Sequence, residues 1–307
     1  MVPEPRPFRY RTATRSARNA GATGALSTLC GCHAALLDPA GPVARSERLI
    51  LFDALVIMLA IIVPVIIATI AFAWWFRAGN ARAQRAPEWT YSGRIEIIVW
   101  SIPTLVIMFL GGIAWTGSRD LDPARPLSAH APPLEIQVVA LDWKWLFIYP
   151  HEGIAALNLL RVPAGTPLRL RVTSASVLNV FFVPRLGSEI YGMYGMATQL
   201  YLQADAPGIY PGLAAHFNGD GFSGMRFELE AVTPEAFASW QGAMQRTQST
   251  LDESAYDALR RQSESAPATH YGRVKPGLFE AIVMQRLPPG AGPALKQPGA
   301  AAPRTEP

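Results

Sequence analysis

Two long uncharged stretches mark the first third of the chain. Residues 54–76 run for 23 positions without a charge, and residues 97–118 run for 22. About 20 apolar residues cross the hydrocarbon core of a bilayer as a helix, so the pattern predicts a two-helix transmembrane hairpin over residues 54–118. Pro64 and Pro103 fall inside the spans. Proline is tolerated there when neighbouring groups satisfy the freed carbonyls. Trp74, Trp75, Trp100 and Trp115 lie towards the span ends, as aromatic anchors do at a membrane interface. After residue 118 the pattern changes. A Pro- and charge-rich linker (119–133) leads into short runs such as "LEIQVVALDWKWLFIY", "LRLRVTS", "NVFFVP", "TQLYLQA" and "MRFELEAV", separated by Pro, Gly, Asn and Asp. Many short strands at close spacing predict a β-sandwich or barrel over residues 134–232. The fold class expected is therefore a membrane α-hairpin followed by an all-β domain.

Residues 234–245 and 251–262 read as helices, the first opened by Thr233 as cap and Pro234 at the first helical position. They place a helical C-terminal extension over residues 233–287. Residues 288–307 have almost no large apolar side chain and are expected to be disordered.

Charge orients the hairpin. Only 16% of residues are charged, against about a quarter in ordinary soluble domains. The connection between the spans carries Arg77, Arg82, Arg85 and Arg94, whereas residues 33–53 carry Arg45 and Arg48 before the first span. The positive-inside rule puts the connection in the cytoplasm and both flanks, including the β-domain, on the periplasmic side. Five further arginines (Arg6, Arg9, Arg11, Arg15 and Arg18) contradict this topology unless they form a signal-peptide n-region that is removed. The only cysteines, Cys30 and Cys32, lie in "LCGCHAALL". Leu29-Cys30-Gly31-Cys32 resembles a lipobox, which predicts a signal peptide over residues 1–32, cleavage before Cys32 and acylation of its sulfur. The alternative is two free thiols in an uncleaved tail. The net charge of +4 gives no reason to expect nucleic acid as a partner.

Two longer segments are more specific: "SVLNVFFVPRLGSEIYGMYGM" and "PGIYPGLAAHFNGDGFSGM". With "RIEIIVWSIPTL" and "DWKWLFIYP", they resemble subunit II of haem–copper oxidases, whose soluble part is a cupredoxin-like β-sandwich. The resemblance spans residues from about 29 to 285. In the cytochrome c oxidase branch this domain holds a dinuclear copper centre. Two bridging thiolates, two histidines, a methionine and a backbone carbonyl bind it, a soft donor set suited to copper electron transfer. In this chain the first histidine position is Asn179, the two cysteine positions are Ala214 and Asn218, the glutamate position is His216, and the second histidine position is Phe222. Only Met225 is retained. A methyl or phenyl group cannot coordinate copper, and no cysteine elsewhere in the domain can substitute. The departures resemble the quinol-oxidase branch, the cytochrome bo-type ubiquinol oxidases, in which subunit II keeps the fold and lacks this copper. The stretch around Trp240 resembles that branch's aromatic-rich extension.

The resemblance implies a non-redox subunit of a proton-pumping terminal ubiquinol oxidase. No cofactor is expected on this chain. Haems and copper are expected in subunit I, ubiquinol is the donor, and subunits I, III and IV and the lipid bilayer are the partners. It also implies that Glu96, in "RIEIIVW", sits at the mouth of a proton channel serving subunit I; a carboxylate at a membrane boundary is a functional candidate in its own right. The bland alternative is an acid complementing the helix dipole or pairing with Arg94. Met193, Met196 and Met225 are expected to fill the old metal position, and Asp142, Trp143 and Trp145 to face the main subunit. Three alternatives remain: a cytochrome c oxidase subunit with an active copper relay, a menaquinol oxidase subunit, and a membrane-anchored binding module outside any oxidase.

Overall fold

The computed structural model describes residues 35–292, apart from 85, 129, 130 and 265. Cys32, the leader before it and residues 293–307 of the tail lie outside the described residues. Two helices come first, α1 (Pro42–Trp75) and α2 (Gly93–Asp120), both long and apolar enough to cross a membrane. They leave rows of Leu, Ile, Val and Phe facing outward, a surface that water does not favour and lipid does. Gly117 near the end of α2 lies against Ile50 near the start of α1; a Cβ there would meet the Ile50 Cδ1 at 2.7 Å. The helices thus run antiparallel, as a hairpin requires.

Helix α1 begins twelve residues before the uncharged run. Arg45, Glu47, Arg48 and Asp53 hide this part from a hydropathy reading, but Pro42 at the first turn is a sound helix start. The extra turns dock on the β-domain. Val43 and Ala44 are buried, the Ala44 amide donates to the Leu186 carbonyl at 3.2 Å, and Ser188 Oγ donates to Glu47 at 2.8 Å. Arg45 also pairs with Asp205. The span and the sandwich are therefore joined by side chains as well as by the linker.

The domain is a sandwich of two sheets. Its strands are β1 (Leu134–Leu141), β2 (Lys144–Tyr149), β3 (Ile154–Leu157), β4 (Leu159–Pro163), β5 (Leu168–Ser174), β6 (Asn179–Val183), β7 (Gly187–Gly192), β8 (Thr198–Leu202), β9 (Gly208–Ala214), β10 (Arg226–Val232), β11 (Thr250–Leu251), β12 (Thr269–Tyr271) and β13 (Arg273–Val274). One sheet has the order β12-β3-β2-β1-β5-β8 and the other β4-β10-β9-β6-β7. Between them Trp145, Phe147, Phe181 and Phe227 form an aromatic core, with Phe181 and Phe227 stacked at 4.9 Å.

A second core explains why β2 is buried along its whole length rather than on alternate residues. The C-terminal segment covers the outer face of the β1–β2 sheet. Leu251, Tyr256, Leu278, Phe279 and Ile282 pack on Val139, Leu141, Leu146 and Ile148. This segment is less helical than its sequence suggests. It holds α3 (Pro234–Gln245), α4 (Glu253–Leu259) and α5 (Leu278–Val283), but β12 extends the sheet edge beside β3 and β11 pairs with β13. Helix α4 is shorter than expected because Asp252 caps it, accepting from the Ala255 amide at 2.9 Å, and Leu251 belongs to β11.

The buried tyrosines give this double core a pH signature. Tyr149 and Tyr256 are buried, and desolvation of the phenolate pushes both hydroxyls well above the ordinary tyrosine range. A raised folded-state pKa means the native state holds its proton where the unfolded chain has lost it. Stability from this source is complete below about pH 10, the unfolded tyrosine value, and falls as pH climbs further. Thermal unfolding of the purified chain should show that alkaline loss, and Tyr149→Phe with Tyr256→Phe should flatten it. An unchanged slope in the double variant would contradict the assignment.

Candidate functional site

The candidate site lies where β6 starts, β9 ends and the loop between β9 and β10 returns. The loop base is closed by backbone bonds, from the Ala214 amide to the Met225 carbonyl at 3.1 Å and from the Ala215 amide to the Val180 carbonyl at 3.1 Å. A single 3-10 turn, Phe222–Gly224, brings the chain back to Met225. This geometry brings Asn179, Ala214, Asn218 and Met225 together in a buried position. Their chemistry is that of a hydrogen-bond network. Asn218 Nδ2 donates to Asn179 Oδ1 and, at 2.9 Å, to the Met225 sulfur. Asn179 Nδ2 donates to the Val177 carbonyl at 3.0 Å and to Ser174 Oγ at 3.3 Å.

The other two positions take no part in this network. Phe222 is half-buried and meets Phe217 edge-on at 5.7 Å, while His216 is exposed. Met193 is half-buried and Met196 exposed, so of the three methionines expected to fill the metal position only Met225 is fully buried there. Two carboxamides, a methyl, a phenyl and one thioether do not fit a dinuclear copper centre, which needs thiolate bridges and imidazoles. Among the described residues no group of three or more His, Cys, Asp or Glu side chains is placed to hold a metal ion.

The turn between β1 and β2 closes over this loop. Leu141 pairs with Lys144, leaving Asp142 and Trp143 as a two-residue connection. Trp143 has φ of 66°, a left-handed backbone that a bulky residue adopts at a cost of about 1–3 kcal/mol. Its compensation is visible. The indole Nε1 donates to the Asn218 carbonyl at 3.3 Å, and the ring lies directly over Gly221. A Cβ at Gly221 would come within 2.3 Å of that ring. Gly221→Ala should therefore displace Trp143 and destabilise the domain by about 1–3 kcal/mol. A calorimetric Tm equal to that of the wild type would show that the ring is free to move.

Each neighbour of Trp143 is also tied to a distant segment. Ser176 Oγ donates to Asp142 Oδ1 at 2.5 Å, and the Gly292 amide donates to Oδ2 at 2.9 Å. Lys144 Nζ donates to the Arg261 carbonyl at 2.6 Å and to Ser263 Oγ at 2.5 Å. Burial lowers the Lys144 pKa below the usual lysine range, with Asp142 opposing the shift. Asp142, Trp143 and Trp145 are the residues expected to face a partner subunit. All three are buried within the chain, and Trp145 belongs to the central aromatic core at 5.4 Å from Phe181. The C-terminal segment covers Asp142 and Lys144, and the loop covers Trp143. Sequence reasoning missed Lys144 altogether. A lone lysine inside the apolar run "WKWLFIY" was the signal available.

Glu96 lies in the first turn of α2, exposed, far along the chain from the loop. Among the described residues it makes no ion pair, with Arg94 or with any other cation.

Residues 245–290 match the family model described as COX Aromatic Rich Motif, the segment that builds the second core. The chain is 44% identical over 255 residues to the cytochrome bo(3) ubiquinol oxidase subunit 2 of Pseudomonas aeruginosa, covering 83% of this chain and 77% of that protein. It is 44% identical over 278 residues to the ubiquinol oxidase subunit 2 of Acetobacter aceti, covering 90% of each. The chain belongs to the ubiquinol oxidase subunit 2 family. The quinol oxidase subunit 2 of Bacillus cereus is more distant, at 36% identity over 75% of this chain and 79% of that protein. Among solved structures, the periplasmic domain of subunit II of cytochrome oxidase from Bradyrhizobium japonicum aligns at 24% identity and a TM-score of 0.35, over 36% of this chain and 91% of that one. Membership of this oxidase family and two helices long enough to span make the chain a membrane subunit of an oxidoreductase complex. Its own loop lacks the thiolates and imidazoles of a dinuclear copper centre.

Proposed function

We propose that this chain is the non-redox subunit II of a ubiquinol oxidase that reduces oxygen and moves protons. The observation that carries the reading is the donor set of the loop, where Asn179, Ala214, Asn218 and Phe222 stand at the positions of copper ligands and two of them have become a hydrogen-bonded pair. Quinol dissolves in the bilayer and can deliver electrons there, so the complex needs no copper relay outside the membrane. Haems and catalytic copper belong to subunit I, which the apolar faces of α1 and α2 are suited to meet, together with the small membrane subunits III and IV.

In this reading the β-domain lies in the periplasm, the arginine-rich connection lies in the cytoplasm, and Glu96 gathers protons at the cytoplasmic end of α2. Cys32, after removal of the leader, carries a lipid that supplements the two spans. Intact mass of the mature chain checks that point, and residues 1–31 still attached would rule it out. Purification of the tagged chain from detergent tests the membership itself. It should bring down a haem-containing membrane protein. Recovery of the chain free of haem would favour the separate binding module instead.

A further inference from the structure

The hydrogen-bond network at the copper-loop position is complete except at one atom. Ser174 Oγ donates to the Val177 carbonyl at 2.6 Å and accepts from Asn179, whose Oδ1 accepts from Asn218. Asn218 Nδ2 serves both Asn179 and the Met225 sulfur. Asn218 Oδ1 has no partner among the described residues, although the side chain is buried with only 5% of the residue exposed.

Turning the Asn218 amide over does not remove the vacancy. Asn179 is held in one orientation, because its Nδ2 already donates to the Val177 carbonyl and Ser174. Its Oδ1 therefore faces Asn218 as an acceptor. A reversed Asn218 would set oxygen against oxygen and against the thioether sulfur, with its amino group left unpaired. A buried carbonyl oxygen without a donor costs about 1–3 kcal/mol, and native interiors avoid that cost with an ordered water where polar groups leave room. Room is expected here. Ala214 presents only a methyl to this position, where the resembled family carries a thiolate.

We infer that one buried water molecule sits beside Asn218 and donates a hydrogen bond to its Oδ1, so that the position of the metal in copper-binding relatives is a hydrated polar seat rather than a dry core. Asn218 and Asn179 then cross-link the loop to β6 while the water completes the network. This water site stands whichever donor feeds the complex.

The test is a cryo-EM map of the purified wild-type complex, at a resolution that shows ordered waters, beside a map of the Asn218→Leu complex. The wild type should show one isolated peak about 2.5–3.0 Å from Asn218 Oδ1, and the variant should lose it. No peak, or a donor from another subunit at that distance, would overturn the inference. So would a metal at the peak, read as one copper per complex more in the wild type than in Asn218→Leu by elemental analysis. If the variant does not assemble, the wild-type map decides alone.

Discussion

Replacing Glu96 with alanine should leave the oxidase assembled with full haem content and slow quinol-driven oxygen consumption by about tenfold or more, equivalent to about 1.4 kcal/mol or more on the barrier. The reasoning starts from position. Glu96 is in the first turn of α2, exposed and without an ion-pair partner among the described residues. A carboxylate left at a membrane boundary without a salt bridge is free to exchange protons with water on one side and with polar groups of a neighbouring subunit on the other. A purely structural acid would contribute through the helix dipole, worth about 0.3–1 kcal/mol of stability, and would leave turnover unchanged. Glu96→Asp separates the two roles, because it keeps an ionisable group and should retain more activity than Glu96→Ala. The block should fall on reduction of the oxygen-reducing site, seen as slower haem reduction after quinol is added. Wild-type turnover in a fully assembled Glu96→Ala complex would reduce the residue to a helix-end acid.

The second large effect is a gain. Asn179→His, Ala214→Cys, Asn218→Cys and Phe222→His, with His216→Glu, should let the chain bind two further coppers. The backbone is prepared for this. The loop base is closed by the Ala214–Met225 and Ala215–Val180 bonds, and Met225 already points inward. Asn179 and Asn218 are already within hydrogen-bonding contact, so their replacements begin close to one another. Phe222 is the demanding position, since its ring now packs towards Phe217 and an imidazole there must turn inward. The readout is elemental copper in the purified complex, with two more per complex in the five-fold variant than in the wild type. Equal copper contents would mean that the loop has changed shape as well as chemistry.

Much of this was legible in the sequence for identifiable reasons. Uncharged runs of 23 and 22 residues have few alternatives to membrane helices, and the structure forms helices over both. For the loop the expectation rests on residue type alone, since Ala214 and Phe222 cannot coordinate wherever they point. What escaped depends on packing across long sequence distances. The first turns of α1 carry four charged residues, and only the docking of Val43 and Ala44 on the domain shows why the helix starts there. Trp143 and Trp145 look alike in "DWKW", yet one closes the loop and the other fills the core. Lys144 drew no reading from the sequence and Asp142 one as an interface residue, because nothing local shows that the C-terminal segment covers them at Arg261, Ser263 and Gly292. Hydrophobic periodicity does not report a sheet buried on both faces by a segment more than a hundred residues away.

Electron entry is the point on which everything else turns, and it is measured most directly by oxygen consumption of the purified complex on two donors. If electrons bypass this subunit, a soluble ubiquinol analogue supports turnover, reduced cytochrome c does not, and the copper content is accounted for by subunit I alone. Sustained turnover on reduced cytochrome c, with two further coppers that vanish when this chain is removed, would contradict a non-redox role for the loop.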